Sequence, residues 1–385
     1  MEILAIGLGG AGCRIVEALV SYDRRSGNGT IINAIAVDRD AGDLNLLAGF
    51  RAGEKLYVSP PDPSVPEDAQ QAAVEELIGR IHSIDVAGID AIIICSGTGG
   101  AMIDLAPVLI GALRKTTLEP IFGLLTLPCL DEGQERSAKA ADDLDALDPI
   151  LDGIILFDNE TWYRKAMAKL EVTGSPVISL VEKITVTKGG NNQKSRMNRL
   201  LNDAIVRRIG LLLKAGEFRE GSKIEVGEVV LDAGEVLNTI RGMGFITIGY
   251  AAEPIARKFI NPLSRLRSDF LVERGHSQAA RIVELAKRAA YEEVSTPCDL
   301  TSAQKALVLI AGPSHELSMK GFMAVRKWID RSIAGMELRS GDYPVRSTGF
   351  IGIVIVLAGL GNIPRLSEIR KIRDDRLDAQ EKNEF

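Results

Sequence analysis

Short, nearly continuous apolar runs alternate with amphipathic stretches over the first part of the chain. The runs Ile3–Ile6, Ile31–Val37, Ala91–Cys95, Ile121–Leu127 and Gly153–Phe157 have no polar face to turn toward water. They predict strands of a parallel sheet, which loses polar alternation because helices cover both of its faces. Each run ends in a glycine-bearing or polar loop, and most of those loops lead into residues of helical period. The expected fold is α/β, with a Rossmann-like N-terminal domain that takes its ligand at the carboxyl ends of the strands.

The break Lys188-Gly189-Gly190-Asn191-Asn192 opens a long helix expected from about Ser195 to Lys214. Its apolar positions (Leu200, Leu201, Ala204, Ile205, Ile209, Leu212 and Leu213) widen into a nearly all-round apolar end, as a helix buried between two domains requires. After Gly221 the pattern changes to strands near Glu225–Leu231, Phe245–Ile248, Ala306–Ile310 and Gly349–Leu357. Helices are expected around Glu253–Lys258, His276–Ala290 and Ser318–Ser332, which makes a second domain of α+β character. Past Pro364 the mixed charges of Arg370, Lys371, Asp374, Asp375, Glu381 and Lys382 predict a solvated helix or a frayed end.

Composition narrows the function classes. With 385 residues, 46% hydrophobic and 25% charged, the chain has material for two or three domains. Its net charge of −6 argues against a nucleic-acid binder. Cys13, Cys95, Cys129 and Cys298 lack CxxC spacing, and three histidines are too dispersed for a metal site. A reducing, cytoplasmic location is expected. The longest apolar stretch, Gly349 to Gly361, is β-branched and glycine-bearing, so a strand and no direct membrane insertion are expected.

Two glycine clusters carry the candidate chemistry. Gly7-Leu8-Gly9-Gly10-Ala11-Gly12 follows the first strand and runs into a helix beginning Cys13-Arg14-Ile15. Glycines let backbone N–H groups approach phosphate oxygens, and the helix end adds a positive dipole. The same spacing satisfies a dinucleotide fingerprint, with Asp38 where a ribose-binding acid would sit, so an NAD(P)-dependent oxidoreductase stays a remote alternative. Ser96-Gly97-Thr98-Gly99-Gly100 follows another strand, and two such loops suit phosphates lying across several strand ends. In the next loop Glu132 can accept from ribose hydroxyls and Arg136 can neutralise phosphate. Asn159, at the fifth strand's end, can meet a purine edge or cap a helix.

In this order the loops resemble the tubulin and FtsZ superfamily of GTPases. Gly9-Gly10-Ala11-Gly12-Cys13-Arg14-Ile15 is similar to its first phosphate loop, Thr126 to Arg136 to its ribose loop, and Phe157-Asp158-Asn159-Glu160 to its guanine-contacting segment. Leu201-Asn202-Asp203 sits where the family places a second guanine-contacting amide. The segments Glu228 to Ile240, Ile246 to Ala251, Ala311-Gly312-Pro313 and Ser340 to Pro344 are most similar to the archaeal CetZ branch.

The resemblance implies a GTP-binding domain over residues 1–190, a central helix over 191–218, a C-terminal activation-type domain over 219–372 and a charged tail over 373–385. It implies GTP or GDP held by Gly9, Gly10, Ala11, Cys13, Arg14, Ser96, Gly97, Thr98, Gly99, Gly100, Glu132, Arg136, Asn159 and Asn202, with Asp38 or Asp40 as acids that can help place Mg²⁺. It also implies subunits stacking head to tail into filaments, with Asp232 and Glu235 of one subunit acting on the nucleotide of the next. Three residues apart at a helix start, those acids share a face, and a carboxylate there can orient or deprotonate the attacking water.

The sequence departs from the family in three places. Ala101, Met102, Ile103 and Asp104 replace a glycine, threonine and serine run, and Asp104 repels phosphate if it faces the site. The expected γ-phosphate sensor reads Ser59-Pro60-Pro61-Asp62-Pro63-Ser64-Val65-Pro66, and prolines lack the N–H donors such a loop needs. Asn198 stands where an aromatic usually stacks on guanine. A nucleotide-binding relative with little or no GTPase activity, serving assembly or regulation, is therefore the alternative to a slow, polymerising GTPase.

Overall fold

Near-continuous apolar strands give the first half of the chain its sheet. In chain order it runs β1 (Ile3–Leu8), α1 (Gly9–Ser26), β2 (Ile31–Asp38), α2 (Ala41–Leu46), β3 (Lys55–Tyr57), β4 (Ala91–Gly97), α3 (Ala106–Leu113), β5 (Ile121–Leu127), α4 (Gln134–Leu147), β6 (Gly153–Asp158) and α5 (Asn159–Val172). The second half runs α6 (Asn191–Leu213), α7 (Ala233–Ile240), β7 (Phe245–Pro254), α8 (Ser268–Lys287), β8 (Lys305–Gly312), α9 (Met319–Ser332), β9 (Glu337–Pro344), β10 (Phe350–Ala358) and α10 (Pro364–Asn383). The structure, a computed structural model, describes residues 1–27, 29–59, 75, 77–81, 83, 88–172, 191–213, 231–255, 268–345 and 348–383. The prolines of the expected γ-phosphate sensor, the Lys188-Gly189-Gly190 break and most of the strand expected at Glu225–Leu231 lie outside those residues.

Among the described residues the strands form one sheet in the order β3-β2-β1-β4-β5-β6-β7-β10-β8-β9. Strands β1 to β6 are parallel, in the doubly wound order that leaves a crevice where the winding reverses, beside the carboxyl ends of β1 and β4. Both glycine clusters follow those two strands. A short parallel pairing, Ile154 with Phe245 and Ile155 with Ile246, joins this half to β7. Strand β10 then pairs antiparallel with β7 and β8, and β9 closes the edge parallel to β8. The expected α/β and α+β halves are both present.

Alternate residues of β1 divide between two cores. Leu4, Ile6 and Leu8 face the layer of α3, α4, α8, α9 and α10, while Ile3 and Ala5 face α1, α2, α6 and α7. Burial on both faces is why the strands carry no polar period.

Helix α6 is buried at its end, as its pattern predicts: Ile205, Val206, Ile209, Leu212 and Leu213 are in the core. Arg208, hidden among them, lies 3.9 Å from the Trp162 ring and donates to the carbonyls of Ala204 and Glu293 at 2.6 Å. Burial pushes its guanidinium down to about 10, which leaves it charged at neutral pH. It joins α5, α6 and the segment after a π-helical turn at Arg288–Glu292.

Four elements differ from the sequence expectation, in kind or in extent. The helix expected at Glu253–Lys258 begins as strand, because β7 continues through Pro254 against Phe350 of β10. Pro254 is tolerated there because β6 pairs only with the start of β7, so that end of the strand needs no donor on its other side. Strands β3 and β9 were not expected. They are the two edges of the sheet, where a short strand, a Gly341 or a Pro344 costs little. The charged segment after Pro364 is helical and runs through residue 372 without a break. It is solvated on one side only: Leu366 and Ile369 are buried, and Arg370 and Arg373 pair with Asp145 and Asp142 of α4. Among the described residues no helix is long and apolar enough to cross a membrane.

Candidate functional site

Helix α1 starts directly from the end of β1 with no side chain capping its first turn and no acid in it, so its leading N–H groups are left for another acceptor. Gly9 takes a left-handed φ of 69°, and a Cβ on it would meet the Met102 side chain at 2.9 Å. Met102 thus lies between the two glycine clusters, against backbone. A Cβ on Gly12 would stand 2.0 Å from the Cys95 carbonyl oxygen, so only glycine lets α1 sit on β4 this closely. The Arg14 guanidinium and Asp43 carboxylate stand over Gly10, 3.9 Å from each other. Ala11 faces Gly97, where a Cβ would come within 3.3 Å of it.

Cys13 serves the shape of this turn. Its thiol lies 3.3 Å from Gly7 O and 3.5 Å from Val37 O, and burial, then the Asp38 charge, push it up to about 12. It stays protonated and donates to the ends of β1 and β2. Asp38 accepts from the N–H groups of Arg39 and Asp40, and Asp40 caps α2 through Gly42 and Asp43. Among the described residues no group of three or more His, Cys, Asp or Glu side chains stands together as a metal site.

The second cluster is fastened from behind. Ser96 donates to Leu8 O at 3.2 Å, and Thr98 donates to Thr126 O through both hydroxyl and amide. Gly99 has φ 77°, its amide bonds Asp143 Oδ2 at 2.7 Å, and a Cβ on it would strike Arg136 O. Gly100 faces the Arg136 guanidinium. Lys139 bridges Asp143 and Asp104 at 2.7 Å each, so the acid that could oppose phosphate is held by a cation of α4. Burial pushes Asp143 above the usual carboxylate range despite that partner.

The third loop closes on the second. Glu132 accepts from Cys129 N at 2.9 Å and pairs with Arg136 at 2.7 Å, both side chains half-exposed. Glu160 accepts from Leu130 N at 2.9 Å, which ties this loop to the end of β6. Asn159 opens α5 there, and Asn202 lies half-exposed on α6, which packs on α5. The second loop thus touches both the first and the third, with Asn159 one residue from the tie. Sequence reasoning did not find Asp143, Lys139 or Glu160. The i,i+4 spacing of Lys139 and Asp143 was their one visible signal.

Asp232 and Glu235 are elsewhere. They form a reciprocal cap on α7: Asp232 accepts from Glu235 N at 2.7 Å, and Glu235 from Asp232 N at 3.4 Å. Glu235 also lies 3.3 Å from Arg339 of β9, while Asp232 is exposed. Arg339 and Lys305, whose ammonium donates to Asn238 O, lie near the amino ends of β9 and β8. The acids therefore occupy the amino edge of the sheet, opposite the glycine loops on its carboxyl edge.

Residues 2–167 match the family model described as Tubulin/FtsZ family, GTPase domain, and residues 192–375 match Tubulin-like CetZ, C-terminal domain. The chain is 32% identical to Tubulin-like protein CetZ1 of Haloferax volcanii over 97% of its own length and 91% of that protein's. The solved GDP-bound monomer of Haloferax volcanii CetZ1 superposes with a TM-score of 0.74 at 28% identity, covering 98% of this chain and 100% of that one. The GTPgS-bound protofilament of Haloferax volcanii CetZ2 gives a TM-score of 0.74 at 26% identity, with 99% and 100% covered.

Proposed function

The chain belongs to the tubulin/FtsZ superfamily of cytoskeletal GTPases, in its CetZ branch, and from that premise we propose that it binds guanine nucleotide and assembles head to tail, completing GTP hydrolysis between subunits. The observation that carries this reading is the separation of the two half-sites. The glycine loops gather at one edge of the sheet, and the acids Asp232 and Glu235 stand at the other. One molecule cannot bring them together, but stacking apposes them. A contact between two different faces does not close on itself, so a filament results.

In this reading the first turn of α1 and the Ser96–Gly100 loop receive the phosphates, Arg136 offsets their charge, Glu132 accepts from the ribose, and Asn159 and Asn202 meet the base. Cys13 contributes through the shape it gives the loop. Mg²⁺ would arrive with the phosphates. The domain division at residues 190, 218 and 372 belongs to the same proposal. A second reading, nucleotide-dependent assembly with little hydrolysis, is favoured by Met102, whose side chain occupies the space beside Gly9.

The contents of freshly purified protein test the binding reading. Guanine nucleotide is expected, and a bound NAD or adenine compound would overturn it. Phosphate release that rises more than linearly with protein concentration is expected from an active site shared between subunits. Release that stays at background during assembly would favour the second reading.

Lys139→Met probes the second loop. Asp104 and Asp143 then lose their shared cation beside the phosphate position, and GDP affinity is expected to fall about tenfold. The loss shrinks as salt rises, because Asp104 is half-exposed and screened. An unchanged dissociation constant at low salt would place the diphosphate away from this loop.

A further inference from the structure

A single arginine of the C-terminal helix holds two nucleotide loops at once. Arg365, in the first turn of α10, has a side chain only 5% exposed. Its Nη2 donates to Pro128 O at 2.8 Å, its Nε lies 3.4 Å from Asp158 Oδ1, and its Nη1 donates to Glu368 at 2.5 Å. Pro128 opens the loop that carries Glu132 and Arg136. Asp158, 2% exposed, immediately precedes Asn159 and also accepts from the N–H groups of Glu160 and Thr161. The guanidinium is planar and rigid, so its hydrogen bond to Pro128 O and its ion pair with Asp158, to which Nε makes no hydrogen bond, together limit the spacing between the two backbones. The phosphate loops also have fastenings of their own, Ser96 to Leu8 and Gly99 to Asp143, beside the Thr98 bonds to Thr126 O.

We infer that Arg365 is a positioning residue for the nucleoside half of the site: it sets the ribose loop against the base-contacting strand end, so discrimination for guanine depends on the C-terminal helix. This rests on the guanine-nucleotide site proposed above. Removing the guanidinium frees Pro128 and leaves Asp158 buried without its cation, and the two loops can then separate. The phosphate loops keep their own contacts. The affinity lost is therefore that of the ribose and base, which distinguishes this role from general destabilisation.

The test compares dissociation constants for GDP and ADP in the full chain and in Arg365→Gln, Arg365→Lys and the double variant Arg365→Gln/Asp158→Asn. Arg365→Gln is expected to weaken GDP about tenfold, the equivalent of one lost hydrogen bond to a charged group, with ADP weakened less, because it shares the ribose contact but not the guanine one, so the GDP-to-ADP ratio falls. Lysine, a point donor without the fork, falls between. The double variant removes both buried charges, so its unfolding midpoint is expected to return toward the parent's while the GDP-to-ADP ratio stays low, since Pro128 still lacks its donor. If the double variant regains the parent's ratio along with its stability, or if Arg365→Gln never loses it, Arg365 is structural only. If the parent itself shows no preference for GDP, the site reading fails before this one is reached.

Discussion

Glu235→Ala is expected to lower GTP turnover by about two to four orders of magnitude while the variant keeps its guanine nucleotide. The separation of effects follows from geometry. Glu235 lies at the amino edge of the sheet, and every loop assigned to the nucleotide lies at the carboxyl edge, so removing it takes nothing from its own subunit's bound ligand. Within its own subunit Glu235 accepts from Asp232 N and pairs with Arg339, both at partly exposed positions. Losing a half-exposed cap and ion pair costs about 1 kcal/mol, too little to unfold the chain. Glu235→Gln keeps an acceptor for the Asp232 amide but cannot take a proton, so it should match alanine in turnover and the parent in stability. Normal phosphate release from either variant would remove Glu235 from the chemistry and leave it as a helix cap. Asp232→Asn is the companion measurement, because Asp232 is the more exposed of the two acids and, among the described residues, its carboxylate accepts from the Glu235 amide alone.

How much of this was legible in the sequence depended on the range of the interaction. Strand β5 is found where its apolar run predicts it, at Ile121–Leu127, because burial on both faces writes itself into consecutive residues. The glycine loops were legible because left-handed backbone and close approach admit few other residues, and Gly9, Gly12 and Gly99 each meet such a demand. Strand β9 was not legible. Its Ser-Gly-Asp-Tyr-Pro run carries turn residues, and it is a strand because β8 offers it a free edge. Asp104 read as a hazard to phosphate because its partner Lys139 lies 35 residues away. Arg365 could not be assigned at all. The Pro128 carbonyl it serves is 237 residues distant, and no local spacing announces such a contact.

The largest effect on the fold is expected from Gly12→Ala. The added methyl would lie 2.0 Å from Cys95 O, 2.8 Å from Cys95 C and 3.2 Å from Ser96 Cα, all backbone of β4. That strand is fixed between β1 and β5 and cannot retreat, so α1 must lift instead. Lifting it loosens Ile15, Val16, Leu19 and Val20 from the core they share with α6. Overpacking of this kind costs about 3 kcal/mol or more, outweighing the roughly 1 kcal/mol that alanine gains over glycine in a helix. The same shift moves the first-turn N–H groups off the phosphate position, and nucleotide should be lost with it. Gly10→Ala is the control in the same turn. Its methyl would meet only the tips of Arg14 and Asp43, half-exposed side chains that can swing aside, so stability should stay within about 1 kcal/mol of the parent. Denaturant unfolding and retained nucleotide, measured on both variants, decide the matter. If Gly12→Ala unfolds at the parent's midpoint with its nucleotide in place, helix α1 does not rest on the end of β4, and the phosphate site built on that contact falls with it.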